Sequence, residues 1–225
     1  MLLAGALPVC ASTVTYDFGQ LSGGTSPSGV PPWLEATFSD NGQPSDTVQL
    51  TISAGNLSGN EFVSCWYFNL NPALDPTALN FSVSGSSGSF TDPTIQKGAD
   101  SYKAGQDGKF DLLLGFSTGS GAFTAGDSLT FTITGITGLT ADDFNSLSTA
   151  AGGIASYSSA AHIGGIGDGA SGWINPTTSQ FNSFDDGPIN QRSVPDGGAT
   201  LGLLGASLLA IEGLRRKLQG RPSVR

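Results

Sequence analysis

At 225 residues, with 38% hydrophobic and 9% aromatic side chains, the chain holds one substantial core: one domain, or one domain plus tails. Charged residues are only 12% while glycines number 33, a balance typical of exported all-β proteins rather than cytoplasmic enzymes. All but two of the 18 acidic residues precede Val194, where they meet only Lys97, Lys103, Lys109 and Arg192. Such a body repels phosphate and argues against nucleic acid as a partner.

The chain opens MLLAGALPVCAST, an apolar run ending in small residues. Val9-Cys10-Ala11 fits a signal-peptidase site, so residues 1–11 read as a signal peptide cut after Ala11. The run lacks the basic residues that open such peptides, which points to a start codon upstream of Met1. A lipobox around Cys10 is the rival reading, and Val9 fits it poorly. A buried first strand is the other, and Pro8 interrupts it.

From residue 12 to 163 strand signals succeed one another: TVTYDF, WLEATF, TVQLTIS, FVSCWYFNL, LNFSVS, KFDLLLGF, SLTFTIT and SYSSAAHI. In TVQLTIS, Val48, Leu50 and Ile52 share one face; in SLTFTIT, Leu129, Phe131 and Ile133 do. Short β-rich runs parted by Gly, Pro, Asn and Asp predict an antiparallel β-sandwich or jelly-roll-like body. Thr140 to Asp143 reads as one helical turn with a capping-box start. If Cys10 leaves with the leader, Cys65 has no disulfide partner, and its apolar strand makes it a packing residue.

Several residues are chemical candidates. GFSTG (Gly115 to Gly119) matches a nucleophile elbow, with Ser117, His162 and Asp142 or Asp143 as a conceivable triad. Ser117 opens onto a loop leading to a strand rather than a helix, and His162 reads better as a strand-end residue bonded to backbone. The site predicted here is therefore not catalytic. One histidine and so few cysteines rule out a conventional zinc centre. No cofactor is expected. Calcium at Asp100, Asp107 and Asp111 in DSYKAGQDGKFD is the weak metal candidate, against a solvated hairpin loop. Trp66 belongs to the core in register with Phe68 and Leu70, leaving Trp33 and Trp173 as exposed candidates for stacking on sugars. The pairs Asp142-Asp143 and Asp185-Asp186 diverge, and a helix start accounts for the first.

Residues 164–193 are rich in Gly, Ser, Asn and Pro and read as a stalk. GDGASG (Gly167 to Gly172) matches G-x-G-x-x-G, but no helix comes after it to receive a pyrophosphate. The tail then runs from 194 to 225. Val194-Pro195-Asp196-Gly197-Gly198 breaks regular structure, and Ala199 to Leu214 carries one charge, Glu212. As a helix that run spans about 24 Å against a hydrocarbon core of about 30 Å. Arg215, Arg216 and Lys217, opening the basic end at 215–225, can snorkel and hold that end in the cytoplasm.

The order VPDGG, short apolar helix, RRK resembles the PEP-CTERM class of sorting tails in its VPDSG-type variant, with Gly197 where that variant usually has Ser. The resemblance implies a Gram-negative-type bacterium, transient insertion in the inner membrane and processing by an exosortase. It implies delivery to the cell surface or beyond, often with exopolysaccharide or biofilm. WYFNLNP, GITGLTADDF and AAHIGGIGDGASGWI are also similar to bodies that recur before such tails, a likeness that supplies no activity. The expectation is a non-enzymatic surface or extracellular-matrix protein. A carbohydrate-binding module is the alternative, and a secreted hydrolase the one after it.

Overall fold

Alternating apolar and polar residues build most strands, because a period of two sends every second side chain to one face. In the computed structural model, which describes residues 11–151 and 156–183 (side chains to residue 177), eleven strands form. They are β1 (Ser12–Gly24), β2 (Leu34–Ser39), β3 (Val48–Ser53), β4 (Phe62–Phe68), β5 (Asn80–Ser87) and β6 (Thr94–Lys103). The remainder are β7 (Lys109–Gly115), β8 (Phe123–Thr124), β9 (Ser128–Thr134), β10 (Ser159–Ile166) and β11 (Ala170–Ser183). The body is all-β, and its pairings are antiparallel.

The strands form one sheet in the order β5-β9-β3-β2-β1-β11-β10-β4-β7-β6, with β8 added beside β4. On a flat sheet β2 and β4, four spacings of about 4.8 Å apart, would stand about 19 Å from one another. Instead Phe38 of β2 meets Phe68 of β4 at 5.2 Å between ring centroids. The sheet is therefore curled until its halves face each other, which is the sandwich-like arrangement the pattern predicts. Val14, Tyr16 and Phe18 of β1 fill the space between with Leu50, Ile52, Trp66 and Phe131. Phe38 also stacks on Phe144 at 4.2 Å, and the Tyr16 hydroxyl donates to Phe144 O at 2.7 Å. Phe144 ends the 3-10 turn Ala141–Phe144, so the turn expected at Thr140 plugs the core.

The open edges are tied without strand pairing. Lys97 of β6 donates its ammonium to Thr77 O at 3.2 Å and to Leu79 O, immediately before β5. A lysine on an edge also discourages pairing with a foreign strand.

Three readings need correction. The stretch 164–193 is not simply a stalk: β10 runs on to Ile166, and Ala170–Ser183 is a 14-residue strand. Composition hid it because its glycines make a turn, with Gly167 and Gly169 at φ 52° and 95°, and G-x-G-x-x-G is that hairpin. Pro176 lies in β11 opposite Phe18, where the register shifts on both sides, so its missing N–H costs little. His162 sits inside β10 rather than at a strand end. Trp33 is 5% exposed, its Nε1 donating to Gly29 O at 2.7 Å, so it offers no platform.

Outward, β1, β2, β3 and β9 present register rows of short polar residues. Thr15, Thr37, Thr51 and Thr130 form one, and Thr13, Ser39, Gln49 and Thr132 another. Neighbouring hydroxyls bond at 3.0 Å (Thr13–Ser39) and 3.3 Å (Thr15–Thr37, Thr51–Thr130). Asp17 and Glu35 face each other in the next row. The face is polar and carries no cation.

Candidate functional site

The chemistry-bearing side chains gather on the outer side of β4, β10 and β11. A register shift between His162 and Ile163 gives β4 an extra residue, Ser64, and turns it toward the imidazole. Ser64 Oγ lies 2.7 Å from His162 Nδ1 and donates to His162 O at 3.1 Å. A serine has one proton, and which atom donates between Oγ and Nδ1 follows the imidazole tautomer, so the contact ties two strands as readily as it activates a nucleophile. Burial pushes the His162 pKa down, and no charged neighbour contributes to that shift. The imidazole packs against Trp173 at 4.7 Å. Nothing in the sequence signals this pairing, which joins residues 98 positions apart.

Cys65 lies beside Ser64, half-buried, with Sγ 3.7 Å from its hydroxyl. Burial pushes its thiol up, away from the thiolate a nucleophile requires. It packs on the second cluster around Tyr67, Ala104, Phe110 and Ala160 rather than in the main core.

Ser117 is elsewhere engaged. Its hydroxyl donates to Ser120 O at 2.9 Å, and the chain continues into β8 and not into a helix. Asp143 caps its own turn, accepting from Thr140 N and Oγ1 at 3.0 Å and from Asn71 Nδ2 at 3.1 Å. The structure thus gives His162 a different serine and gives Asp143 a structural task.

The calcium candidates sit on the β6–β7 hairpin but go to separate partners. Asp107 is buried and accepts from Ser22 Oγ at 2.9 Å. Desolvation pushes its pKa up, against bonds from Ser22 and Asn175 that pull it down. Asp111 accepts from Leu70 N at 2.9 Å and from Asp100 N at 2.8 Å. Among the described residues, no three His, Cys, Asp or Glu side chains gather to hold a metal. EDTA is expected to shift the melting temperature by less than about 1 °C, since a lost ligand removes stability only if it was bound. A drop of several degrees in calorimetry would mean that these carboxylates do hold calcium.

Trp173 borders a cleft of about 220 Å³ between Ser22–Gly24 and Gly105–Asp107. Gly105, at φ 50°, lies so close that an added Cβ would stand 3.0 Å from the indole. One ring face is therefore covered by backbone, and Tyr67 packs alongside at 5.8 Å.

The remaining sequence candidates, Cys10, Asp185-Asp186, Val194 to Gly198, the apolar run Ala199 to Leu214 and Arg215 to Lys217, lie outside the described residues. Among the described ones, no helix is long and apolar enough to cross a membrane. No curated protein and no solved structure matches the chain. Its tail does find a match: residues 193–218 fit the VPDSG-CTERM motif, Gly197 included, and the protein therefore carries a PEP-CTERM-type sorting tail.

Proposed function

We infer that the chain is a non-enzymatic structural protein of the bacterial surface or extracellular matrix, associated with exopolysaccharide. That it is exported and sorted by its tail follows from the motif at 193–218, and this observation carries the reading. Processing by an exosortase-type enzyme goes with it. In this reading Ala199 to Leu214 spans the inner membrane before processing, with Arg215, Arg216 and Lys217 on the cytoplasmic side. The uncharged rows around Thr15, Thr37, Thr51 and Thr130 support contact with a hydroxylated polymer, offering donors and acceptors without ionic preference. They fit a matrix component better than a tryptophan-based carbohydrate-binding module, because Trp33 and Trp66 are buried and Trp173 is partly covered. The hydrolase reading loses support from the separate engagements of Ser117 and Asp143.

Deletion of the gene tests this in the producing bacterium. Washed cells should keep the body with their polysaccharide, and the deletion should lower retained matrix without changing growth. Ser117→Ala and His162→Ala chains should restore it fully. A body found free in the medium, with matrix unchanged by the deletion, would refute the assignment.

A further inference from the structure

β1 begins at Ser12, and that residue's own nitrogen is bonded to a carboxylate. Ser12 N donates to Asp40 Oδ1 at 2.6 Å, and Ser12 Oγ donates to Oδ2 at 3.1 Å. The contact is reciprocated, since Asp40 N donates to Ser12 O at 3.2 Å. Oδ2 also accepts from Ala141 N at 2.9 Å, which fixes the carboxylate from the opposite side. Ser12 is 5% exposed. A carboxylate held by three donors is thus aimed at the first nitrogen of the first strand.

The surroundings add a second observation. Ala11 leaves the strand into a cleft of about 460 Å³ between the Asp40–Thr47 loop and Gly138–Thr140. Among the described residues its lining holds two carboxylates, Asp40 and Asp46, and no Lys, Arg or His. A peptide amide offers such a place one N–H and no charge. An α-ammonium group offers three donors and the missing positive charge.

We propose that Asp40 is the built acceptor for the α-ammonium group that Ser12 carries once the Ala11–Ser12 peptide bond is hydrolysed. In that step water adds across the C–N bond. Its hydroxyl goes to the Ala11 carbonyl carbon and its proton to the Ser12 nitrogen, and the new carboxylic acid passes its own proton to the amine. The departing leader ends in a carboxylate and the body begins with an ammonium. One N–H keeps the bond to Asp40, and the other two face the acidic cleft that Ala11 vacates. Removal of the leader thereby converts an amide hydrogen bond into an ion pair that pins the start of β1. The inference rests on export through a cleaved leader and extends beyond sorting by the tail.

The test uses protein recovered from the producing cells after export. Intact mass and N-terminal sequencing should show Ser12 as the first residue. Melting temperatures are then compared for wild type, Asp40→Asn, a chain with one glycine inserted between Ala11 and Ser12, and the two changes combined. Each single change should lower the midpoint by about 2–4 °C, and the combination should lower it no further than the larger single loss. An amine-selective reagent should label the wild-type terminus more slowly than that of the glycine insertion, measured well below both melting transitions so that unfolding does not supply the difference. Additive losses, a harmless insertion, equal labelling, or a body that retains residues 1–11 would each overturn the proposal. An unprocessed tail on a body beginning at Ser12 would count against sorting and leave this inference standing.

Discussion

Pro195→Ala combined with Asp196→Ala is expected to abolish tail processing while leaving membrane insertion intact. The full-length chain should accumulate in the inner-membrane fraction, where wild type is found shortened and outside. Pro195 fixes φ and keeps the preceding residue extended, the form in which a protease-like groove takes a strand. Asp196 supplies the motif's only charge, and Gly197 and Gly198 admit a close approach to the backbone. If each side chain contributes about 1.4 kcal/mol to transition-state binding, losing both slows cleavage on the order of a hundredfold. The apolar run and its arginines are untouched, so insertion serves as the internal control. Equal processing of mutant and wild type, read by immunoblot of the two fractions, would reduce the segment to an ordinary anchor.

The largest effect on stability should come from Phe38→Ala. This ring touches Tyr16, Phe68 and Phe144, at 6.3, 5.2 and 4.2 Å, and so joins both halves of the sheet and the turn that plugs them. Its side chain is fully buried. Truncation removes the transfer free energy and leaves a cavity that three rigid aromatic neighbours cannot close, costing about 3–5 kcal/mol. In urea denaturation the midpoint should fall with the slope unchanged. Phe38→Leu should cost clearly less. A loss for Phe38→Ala below about 1 kcal/mol would mean that the halves of the sheet do not pack through this ring.

How legible each feature is in the sequence depends on how it is encoded. β3 and β9 alternate without interruption, since each has one face in the core and one in solvent, so Val48 to Ser53 and Ser128 to Thr134 could be read directly. β6 could not, because TIQKGADSYK is an edge strand exposed along most of its length and carries no burial pattern. β11 escaped for the opposite reason: bulges and Pro176 break its period, while Ile174, Asn175 and Pro176 are buried in succession. Trp33 was misplaced because its partner is a local carbonyl, Gly29 O, that composition does not reveal. The pairing of Ser64 with His162 depends on a single register shift, and no linear spacing predicts one. The sorting tail was legible because its motif is one contiguous run, residues 193–218, so its information stays in sequence order.

The pairing of β1 with β11, from Ser12 opposite Ser183 to Gly24 opposite Gly172, sets an order in time. A chain threaded through a membrane pore presents β1 early and must hold it, with one edge vacant, until almost the whole body has crossed. Only the arrival of β11 gives that edge a partner and joins the β5–β9–β3–β2–β1 half to the rest by strand pairing. Contacts so distant in sequence form slowly, which keeps the polypeptide loose enough to thread. The sorting motif comes shortly behind Ser183, so the sheet becomes complete as the signal for delivery emerges. A product cut short before β11 would lack both, leaving an unpaired strand for proteases and no tail to sort it. Length itself is proofread: only a finished chain is both sealed and addressed.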